Sequence, residues 1–414
     1  MPQFLYDFLV KTYGFLIGIY SLFNRKAALW VSGRKDWERT MSLTLDGLIA
    51  ERIWIHAASL GEFEQGRPLI EALRTKYPEK GLVLTFFSPS GFEIRKDYKG
   101  VDAVLYLPLD TRHNAKVFLD LLKPELAVFI KYEFWFNHLA ELKKRDIKTI
   151  LVSGRLHAKQ GFFKPWGKFF RKGLETFGHF FLQNKGSAEL LEDIGFKNYT
   201  VNGDTRFDRV MSVREENKDL PEIESFTKES KVIMLGSSWP YEEILLNQFM
   251  IDYGKEDFKV VIAPHELDER RMREFIEKCP LNCLLLSQWN LRNGDERVLI
   301  IDRIGMLSQA YRYGDIALVG GGFGAGIHNV LEPAVWGIPV VFGPRYEMFS
   351  EAVELVERDA AFSAEDQKEF NELLLELLNS EDKRTMAGQK ALEYCRANQG
   401  ATKAVMDYIS DDLR

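Results

Sequence analysis

The sequence of 414 residues lacks the common motifs of a catalytic metal site. It contains no Asp-x-Asp and no His-Glu-x-x-His, and its three cysteines, Cys279, Cys283 and Cys395, form no Cys-x-x-Cys pair. Carboxylate pairs and clusters of Cys or His are the usual ligands of divalent metals, so the sequence offers no visible metal site. A small, odd number of cysteines indicates buried free thiols in a reducing compartment.

An excess of positive charge is also missing. The formal net charge is −6, which argues against nucleic acid as a partner of the whole chain. Hydrophobic residues make up 46% and charged residues 28% of the chain, as in ordinary globular proteins. The length is sufficient for two domains, each with its own core.

A long apolar stretch occupies residues 4–23 and is interrupted by Asp7 and Lys11. It is long enough to span a bilayer, and it could instead lie in the membrane interface or pack as a terminal helix on a soluble body. Four basic residues follow between positions 25 and 35, and positive charge beside an apolar segment places the downstream chain on the cytoplasmic side. We therefore predict a membrane-anchor or interfacial helix within residues 1–35.

From residue 50 onward, short aliphatic strands alternate with helices. Six strands are predicted in the first half, at residues 53–56, 82–86, 103–106, 126–130, 149–152 and 179–182. This alternation predicts a parallel sheet covered by helices on both faces, in a domain at residues 36–205. Because ligands of such sheets bind beyond the carboxyl ends of the strands, the residues that follow each strand are candidates for a site.

Glu62 follows the first of these strands, at the start of a predicted helix. A carboxylate in the first turn of a helix interacts favourably with the helix dipole, by about 0.3 to 1 kcal/mol, and this structural role is the commoner one. A carboxylate at the end of a strand can also act as a general base when a substrate hydroxyl reaches it. The order of the sequence leaves both roles open.

Residues 155–172 contain six Lys or Arg residues and no acid. On a helical wheel, basic and aromatic side chains fall on opposite faces, which is typical of a surface that contacts anionic lipid head groups. The alternative is an ordinary helix that starts near Pro165 and packs its aromatic face in the core.

The strand pattern restarts after a charged stretch at residues 214–230. Six further strands are predicted, at residues 232–235, 260–263, 283–286, 298–301, 316–319 and 338–342. They predict a second domain of the same kind at residues 206–414, closed by C-terminal helices. Two such sheets facing one another would form a cleft, as in two-domain sugar-nucleotide transferases.

The last two of these strands flank a glycine-rich loop at residues 320–326. It fits neither Gly-x-Gly-x-x-Gly nor the P-loop, since no Lys-Ser or Lys-Thr follows its last glycine. Glycines allow the backbone to approach a ligand, and a helix predicted from Asn329 to Gly337 would point N–H groups into the same space. The loop predicts an anion site, most simply for phosphate, with a plain glycine-rich turn as the alternative.

Several short motifs follow one another along nearly the whole chain. They are Trp54-Ile55-His56-Ala57-Ala58-Ser59-Leu60-Gly61-Glu62, Leu107-Pro108-Leu109-Asp110, Glu133-Phe134-Trp135 with Asn137, Ser153-Gly154-Arg155, Gly203-Asp204-Thr205-Arg206-Phe207-Asp208, Pro264-His265-Glu266, Gly321-Gly322, and His328-Asn329 before Leu331-Glu332-Pro333. Most are weak singly. Their number and order resemble one family, the 3-deoxy-D-manno-octulosonic acid (Kdo) transferases of lipopolysaccharide assembly.

This resemblance implies an α/β protein with the GT-B architecture, in which two Rossmann-like parallel-sheet domains face a cleft behind an N-terminal membrane-anchor helix. It also implies an inverting transfer of Kdo from CMP-Kdo to a lipid A precursor of the lipid IVA type, with no metal and no cofactor. The catalytic body would lie on the cytoplasmic face of the inner membrane, held peripherally or by a single span.

The same resemblance implies roles for individual residues. Glu62 corresponds to the family's general base. The implied acceptor- and sugar-binding residues are Ser59, Gly61, Lys131, Glu133 and Arg155. The implied nucleotide-binding residues are Ser237, Ser238, Pro264, His265, Gly305, Gly322, His328, Asn329 and Glu332.

The sequence departs from the family at two positions. Lys131 stands where the family usually has an acid, and it could pair with an acceptor phosphate, with the Kdo carboxylate or with Glu133. Met306 stands where the family commonly has Glu. Two other functions stay open: a different GT-B sugar-nucleotide transferase or epimerase, and an inactive nucleotide-binding scaffold.

Overall fold

The computed structural model describes residues 3–410 and 413, which form two compact units. The first unit comprises Met1–Arg209 together with Gln399–Arg414, and the second comprises Val210–Asn398. The sequence placed the boundary between residues 205 and 206 and assigned the entire C-terminal region to the second domain. In the structure the last helix instead belongs to the first unit.

The first unit is built on a seven-stranded parallel sheet. Its strands are β1 (Arg52–Ala57), β2 (Gly81–Phe86), β3 (Ala103–Tyr106), β4 (Pro124–Ile130), β5 (Lys148–Gly154), β6 (His179–Leu182) and β7 (Tyr199–Val201), in the spatial order β3-β2-β1-β4-β5-β6-β7. Its first nine helices are α1 (Gln3–Tyr20), α2 (Arg25–Ser32), α3 (Trp37–Leu45), α4 (Leu60–Lys76), α5 (Pro89–Arg95), α6 (Arg112–Leu122), α7 (Phe136–Lys144), α8 (Lys168–Leu174) and α9 (Lys185–Glu192).

The central strands of this sheet are buried on both faces. Trp54 belongs to the hydrophobic cluster on one side, whereas its neighbours Ile53 and Ile55 belong to the cluster on the other side. Successive side chains of a strand point to opposite faces, so an uninterrupted apolar run is what a doubly covered strand requires.

The second unit contains another seven-stranded parallel sheet. Its strands are β8 (Lys231–Ser238), β9 (Phe258–Pro264), β10 (Cys283–Leu285), β11 (Val298–Ile300), β12 (Ile316–Val319), β13 (Val340–Phe342) and β14 (Ala361–Ser363), in the spatial order β10-β11-β9-β8-β12-β13-β14. All twelve predicted strands are present, so the prediction of two parallel-sheet α/β domains is confirmed. The two that were not predicted, β7 and β14, are edge strands of three residues each.

Helix α10 (Thr205–Glu216) leads into the second unit, whose own helices follow. They are α11 (Pro221–Thr227), α12 (Pro240–Tyr253), α13 (Glu269–Lys278), α14 (Leu307–Ala310), α15 (Leu331–Ala334), α16 (Ser350–Glu357), α17 (Gln367–Asn379) and α18 (Glu381–Ala397). Short 3-10 helices occur at Gly161–Phe163, Leu286–Leu291 and Tyr311–Tyr313.

The last helix, α19 (Ala401–Ile409), returns the chain to the first unit. It packs on α4, and its side chains Val405, Met406 and Ile409 join the hydrophobic cluster beneath β1. The Asp208 carboxylate accepts hydrogen bonds from the main-chain N–H groups of Gly400 and Thr402, at 2.5 and 2.6 Å, and so caps the start of this helix.

Helix α1 is docked on the body of the first unit. The Tyr6 hydroxyl donates to Asp110 Oδ2 at 2.5 Å, and Asp7 Oδ2 lies 2.8 Å from Arg112 Nε. The acid that interrupts the apolar stretch therefore points inward. No helix among residues 3–410 is long and apolar enough to cross a membrane.

Residues 155–172 do not form one basic amphipathic helix; the alternative, a helix that starts near Pro165 with aromatic side chains packed on the core, is closer to the structure. The chain forms a 3-10 turn at Gly161–Phe163 and enters α8 only at Lys168. Pro165 disfavours helical geometry in the residue before it, and this interrupts the segment. Arg171, placed on the outer face by the helical wheel, donates to the main-chain carbonyls of Phe162 and Lys164.

Candidate functional site

In each sheet, the crossover connections change direction between two neighbouring strands. This occurs between β1 and β4 in the first unit and between β8 and β12 in the second. Open parallel sheets bind ligands beyond the carboxyl ends of the two strands at such a point. The residues that follow β1 and β4, and those that follow β8 and β12, are therefore the candidates in each unit.

Three non-glycine residues at strand ends have a left-handed backbone. They are Lys131 after β4, with φ 72°, Ser153 near the end of β5, with φ 52°, and Ser237 near the end of β8, with φ 51°. Such conformations cost about 1 to 3 kcal/mol and are concentrated at functional sites. Both units thus carry backbone strain where a ligand is expected.

Glu62 is buried in the first turn of α4, directly after β1. Its Oε2 accepts a hydrogen bond from the Ser59 hydroxyl, and Lys131 Nζ lies 3.6 Å from its Oε1. The structure therefore brings together three of the predicted site residues, while Gly61 is exposed beside them. The position suits a carboxylate, because the N-terminus of α4 carries a partial positive charge.

Glu133 does not pair with Lys131 and lies instead beside His56, with 3.9 Å between Glu133 Oε2 and His56 Nε2. His56 is fully buried, and burial lowers its pKa, with Glu133 acting in the opposite direction. His56 Nε2 accepts from Trp135 Nε1 at 3.0 Å, while Nδ1 lies 2.8 Å from Thr85 Oγ1. These contacts define a neutral imidazole with its proton on Nδ1.

Arg34 is one of the four basic residues between positions 25 and 35, and no role in a site was predicted for it from the sequence. Its guanidinium donates to the main-chain carbonyls of Trp30, Phe87 and Leu107, at 2.7 to 3.1 Å. Burial lowers the pKa of Arg34 to about 9. The hydrogen bonds of Arg34 thus connect the segment after α2 to the chain that follows β2 and β3.

Arg155 is half-buried after β5. Within residues 3–410 and 413, the structure gives Arg155 no hydrogen bond or ion pair, and no contact joins it to Glu62 or Lys131. Its guanidinium therefore keeps all five donors for other groups.

Two motif residues that suggested function serve the architecture of the first unit. Asp110 is fully buried and accepts hydrogen bonds from the main-chain N–H groups of Asn137 and His138, which caps α7. Asp204 accepts from the side chain of Gln65 at 3.0 and 3.1 Å, which holds the entrance of α10 against α4.

In the second unit, three rings stack beyond the ends of β8 and β9. The ring centroids of Trp239 and His265 are 4.6 Å apart, and those of His265 and His328 are 4.3 Å apart. Trp239 Nε1 donates to His328 Nε2 at 2.8 Å, and burial lowers the pKa of His328 to about 4. Trp239 was not among the predicted site residues, although it directly follows Ser237 and Ser238.

The glycine-rich loop is shaped by a buried acid of the second unit. Glu242 Oε1 accepts from the N–H groups of Gly321 and Phe323, at 2.9 and 3.4 Å. A Cβ atom on Gly322 would lie 2.5 Å from the main-chain nitrogen of Gly343, so this position requires glycine for packing. A carboxylate of the chain therefore already occupies two of the loop's N–H groups.

The helix predicted from Asn329 to Gly337 is a single turn, α15. Asn329 Oδ1 accepts from the N–H of Leu331 at 3.1 Å, and its Nδ2 donates to Glu332 Oε1 at 3.1 Å. Pro333 lacks an N–H group and the turn ends at once, so no extended helix dipole supports an anion here. The Asn329–Glu332 pair remains beside the ring stack of His328.

Among the other predicted nucleotide-binding residues, Ser238 and Pro264 are paired across the ends of β8 and β9. Ser238 is buried and donates to Glu243 Oε1 at 2.6 Å. Pro264 lines a small cavity with Glu243, and Gly305 lies on an exposed loop with φ 86°. No group of three His, Cys, Asp or Glu side chains in the described part of the chain could hold a metal ion.

Comparisons with known proteins place these features in context. Residues 31–209 match the family model described as 3-Deoxy-D-manno-octulosonic-acid transferase (kdotransferase). The chain is 25% identical over 360 residues to a 3-deoxy-D-manno-octulosonic acid transferase of Rickettsia bellii, covering 84% of each protein. It is 29% identical over 338 residues to the protein of that description from Aquifex aeolicus, covering 79% of this chain and 86% of the other.

The fold is similar to that of a solved sugar-nucleotide enzyme. The UDP-GlcNAc 2-epimerase of Neisseria meningitidis, bound to UDP-GlcNAc, matches with a TM-score of 0.62 at 15% identity. The match covers 87% of this chain and 100% of the other. At this identity the similarity concerns the fold, two parallel-sheet α/β domains of the kind found in GT-B glycosyltransferases.

Proposed function

We propose, for a chain that is a homologue of the Kdo transferases and hence a glycosyltransferase, a specific reaction. The chain transfers Kdo from CMP-Kdo to a lipid A precursor of the lipid IVA type. The observation that carries this proposal is the Glu62 carboxylate, held by Ser59 and Lys131 beyond β1 and β4. A carboxylate fixed at the switch point of a parallel sheet is placed where a substrate reaches it.

In the proposed reaction, Glu62 is the general base. The hydroxyl of the acceptor gives its proton to the Glu62 carboxylate while its oxygen attacks the anomeric carbon of Kdo. The bond from that carbon to the CMP phosphate breaks, and the electron pair leaves with CMP. Attack from the side opposite the leaving group gives inversion, which requires both substrates to be held in line.

The proposed acceptor and sugar contacts surround Glu62. Gly61 gives a substrate access to the first turn of α4, and Arg155 has donors for a substrate anion. The Glu133 carboxylate lies beside the buried His56. Its proposed role is to accept hydrogen bonds from sugar hydroxyls.

The proposed site for CMP lies around the ring stack of the second unit. His265 is exposed and offers a ring face on which a nucleobase can stack. His328 accepts from Trp239 through Nε2, which leaves Nδ1–H as a donor, and Glu332 can accept from ribose hydroxyls. Because Glu242 occupies two amides of the glycine loop, we assign the loop, with Gly322, the role of shaping this site.

We also propose that the first unit associates with the cytoplasmic face of the inner membrane through α1. Large apolar side chains cover the outer face of this helix, including Phe4, Phe8, Phe15 and Leu16, each more than half exposed. Beside it, a groove of about 760 Å³ is lined by Gln3 of α1, Trp166, Phe169 and three lysines at positions 143, 168 and 172. Apolar side chains beside lysines suit an anionic lipid surface.

The test is an assay of the purified protein with CMP-Kdo and a lipid A precursor, which should release CMP and yield a heavier lipid. Glu62→Gln should lower the rate about 100- to 10,000-fold while CMP-Kdo binding persists, because the variant lacks only the base. Glu71→Gln is the matched control, since Glu71 is a half-buried acid of the same helix, paired with Arg67 and remote from the contacts of Glu62. Absence of a Kdo-bearing lipid, or conversion of a sugar nucleotide without any acceptor, would contradict the proposal and favour an epimerase.

A further inference from the structure

The ammonium group of Lys131 is incompletely paired. Within residues 3–410 and 413, its one carboxylate neighbour is Glu62, whose Oε1 is 3.6 Å away, whereas a charge-assisted hydrogen bond is usually about 2.7 to 2.9 Å long. The ring of Tyr132 lies 5.0 Å from the nitrogen, and the side chain of Lys131 is 25% exposed. At least two of the three N–H donors therefore remain available.

Lys131 has an energetically unfavourable backbone conformation. The backbone of Lys131 is left-handed, and its N–H donates to the carbonyl of Val152 at 2.8 Å, which fixes the start of the side chain at the end of β4. Because β4 neighbours β1, this geometry directs the ammonium to Glu62.

The substrates of the proposed reaction are strongly anionic, since the transferred sugar bears a carboxylate and the lipid acceptor bears phosphates. Glu62 and Glu133, both at this edge of the sheet, would repel them. A cation between the base and the substrate offsets this repulsion.

We propose that Lys131 binds an anionic oxygen of a substrate while it contacts Glu62, and so determines which substrate charge lies next to the base. The inference rests on the proposed function and names the recognition chemistry of the same site. The anion is either a phosphate of the acceptor or the carboxylate of the transferred sugar, and the two sources are separable by experiment.

The experiment measures steady-state kinetics of Lys131→Met and Lys131→Arg with CMP-Kdo, using a phosphorylated lipid acceptor and the same acceptor after enzymatic dephosphorylation. Lys131→Met should raise one KM about 10- to 100-fold, the usual loss for a hydrogen bond to a charged group, and Lys131→Arg should recover most of it. An acceptor phosphate is indicated when the KM of the phosphorylated acceptor rises and the effect vanishes after dephosphorylation. The sugar carboxylate is indicated when the KM of CMP-Kdo rises with both acceptors.

Lys123→Met is the matched control, because Lys123 also has a left-handed backbone and lies just before the amino end of β4. It should leave both KM values unchanged. Should Lys131→Met turn over too slowly, calorimetric binding of each substrate replaces KM. If neither affinity changes and only kcat falls, Lys131 merely positions Glu62 and the inference is wrong. A wild-type protein that forms no product would contradict the proposed function itself.

Discussion

At the scale of single residues, Glu242 shows how a buried carboxylate can shape a glycine-rich loop. Replacing it in Glu242→Ala leaves the N–H groups of Gly321 and Phe323 without their acceptor. Each buried unpaired group costs about 1 to 3 kcal/mol, so we expect the second unit to lose roughly that amount of stability and to bind CMP-Kdo more weakly. Urea denaturation and calorimetry measure the two effects. Glu266→Ala, which removes an exposed acid of the same unit, should change neither.

His328 gives the second unit a predicted dependence on pH. Burial, together with the charge of His265, lowers the pKa of His328 to about 4, whereas a histidine of the unfolded chain has a pKa of about 6.5. The unfolded state therefore binds the proton first, and stability is lost as the pH falls from about 6.5 to 4. After allowance for the partial exposure of the ring, the loss is on the order of 1 to 2 kcal/mol.

The measurement for His328 compares urea midpoints at pH 7.5 and 4.5. His328→Gln retains an acceptor for Trp239 but does not titrate, so its stability should differ less between the two pH values than that of the wild type. Equal pH dependence in both proteins would show that groups other than His328 account for the effect.

At the scale of secondary-structure elements, α1 has one face docked on the first unit and one face exposed. The inner face makes the contacts to Asp110 and Arg112, whereas Phe8 and Phe15 are 62% and 68% exposed. We expect Phe8→Asp with Phe15→Asp to lower binding to liposomes containing phosphatidylglycerol about tenfold or more, since charged residues oppose insertion of the helix face. Flotation in a density gradient measures the bound fraction.

A control for α1 is Met386→Asp, which introduces one such negative charge at an exposed apolar residue of α18, to be compared with Phe8→Asp alone. This variant should float with liposomes as the wild type does. If the α1 variant also floats normally, the groove near Lys168 and Lys172 would have to account for membrane binding, or α1 would serve only as a structural helix.

At the scale of the whole molecule, the two sheets could be predicted from the sequence, but the contacts between residues far apart in the sequence could not. Uninterrupted apolar runs identified the strands, because a doubly buried strand needs them. The contact of Ser59 with Glu62 joins residues three apart, whereas the contact of Lys131 with Glu62 depends on the adjacency of β1 and β4, which no local pattern records. The motif order predicted a resemblance to the Kdo transferases, and the matches to that family confirm it. The contact between Glu242 and Gly321 of the glycine loop joins positions 79 apart in the sequence, and no sequence motif corresponds to it.

The C-terminal helix α19 provides the clearest test of the division of the chain into two units. The sequence of an amphipathic helix shows that one face must be buried, but not in which hydrophobic core. In the structure, Ile409 of α19 is fully buried in the core of the first unit. Ile409→Ala should destabilise that unit by about 2 to 5 kcal/mol, whereas Leu378→Ala should act on the core of the second unit. Hydrogen exchange should show loss of amide protection in β1 and α4 for the first variant and in β8 and β12 for the second. Equal loss in both units from either substitution would contradict the division, since separate cores open as separate cooperative regions.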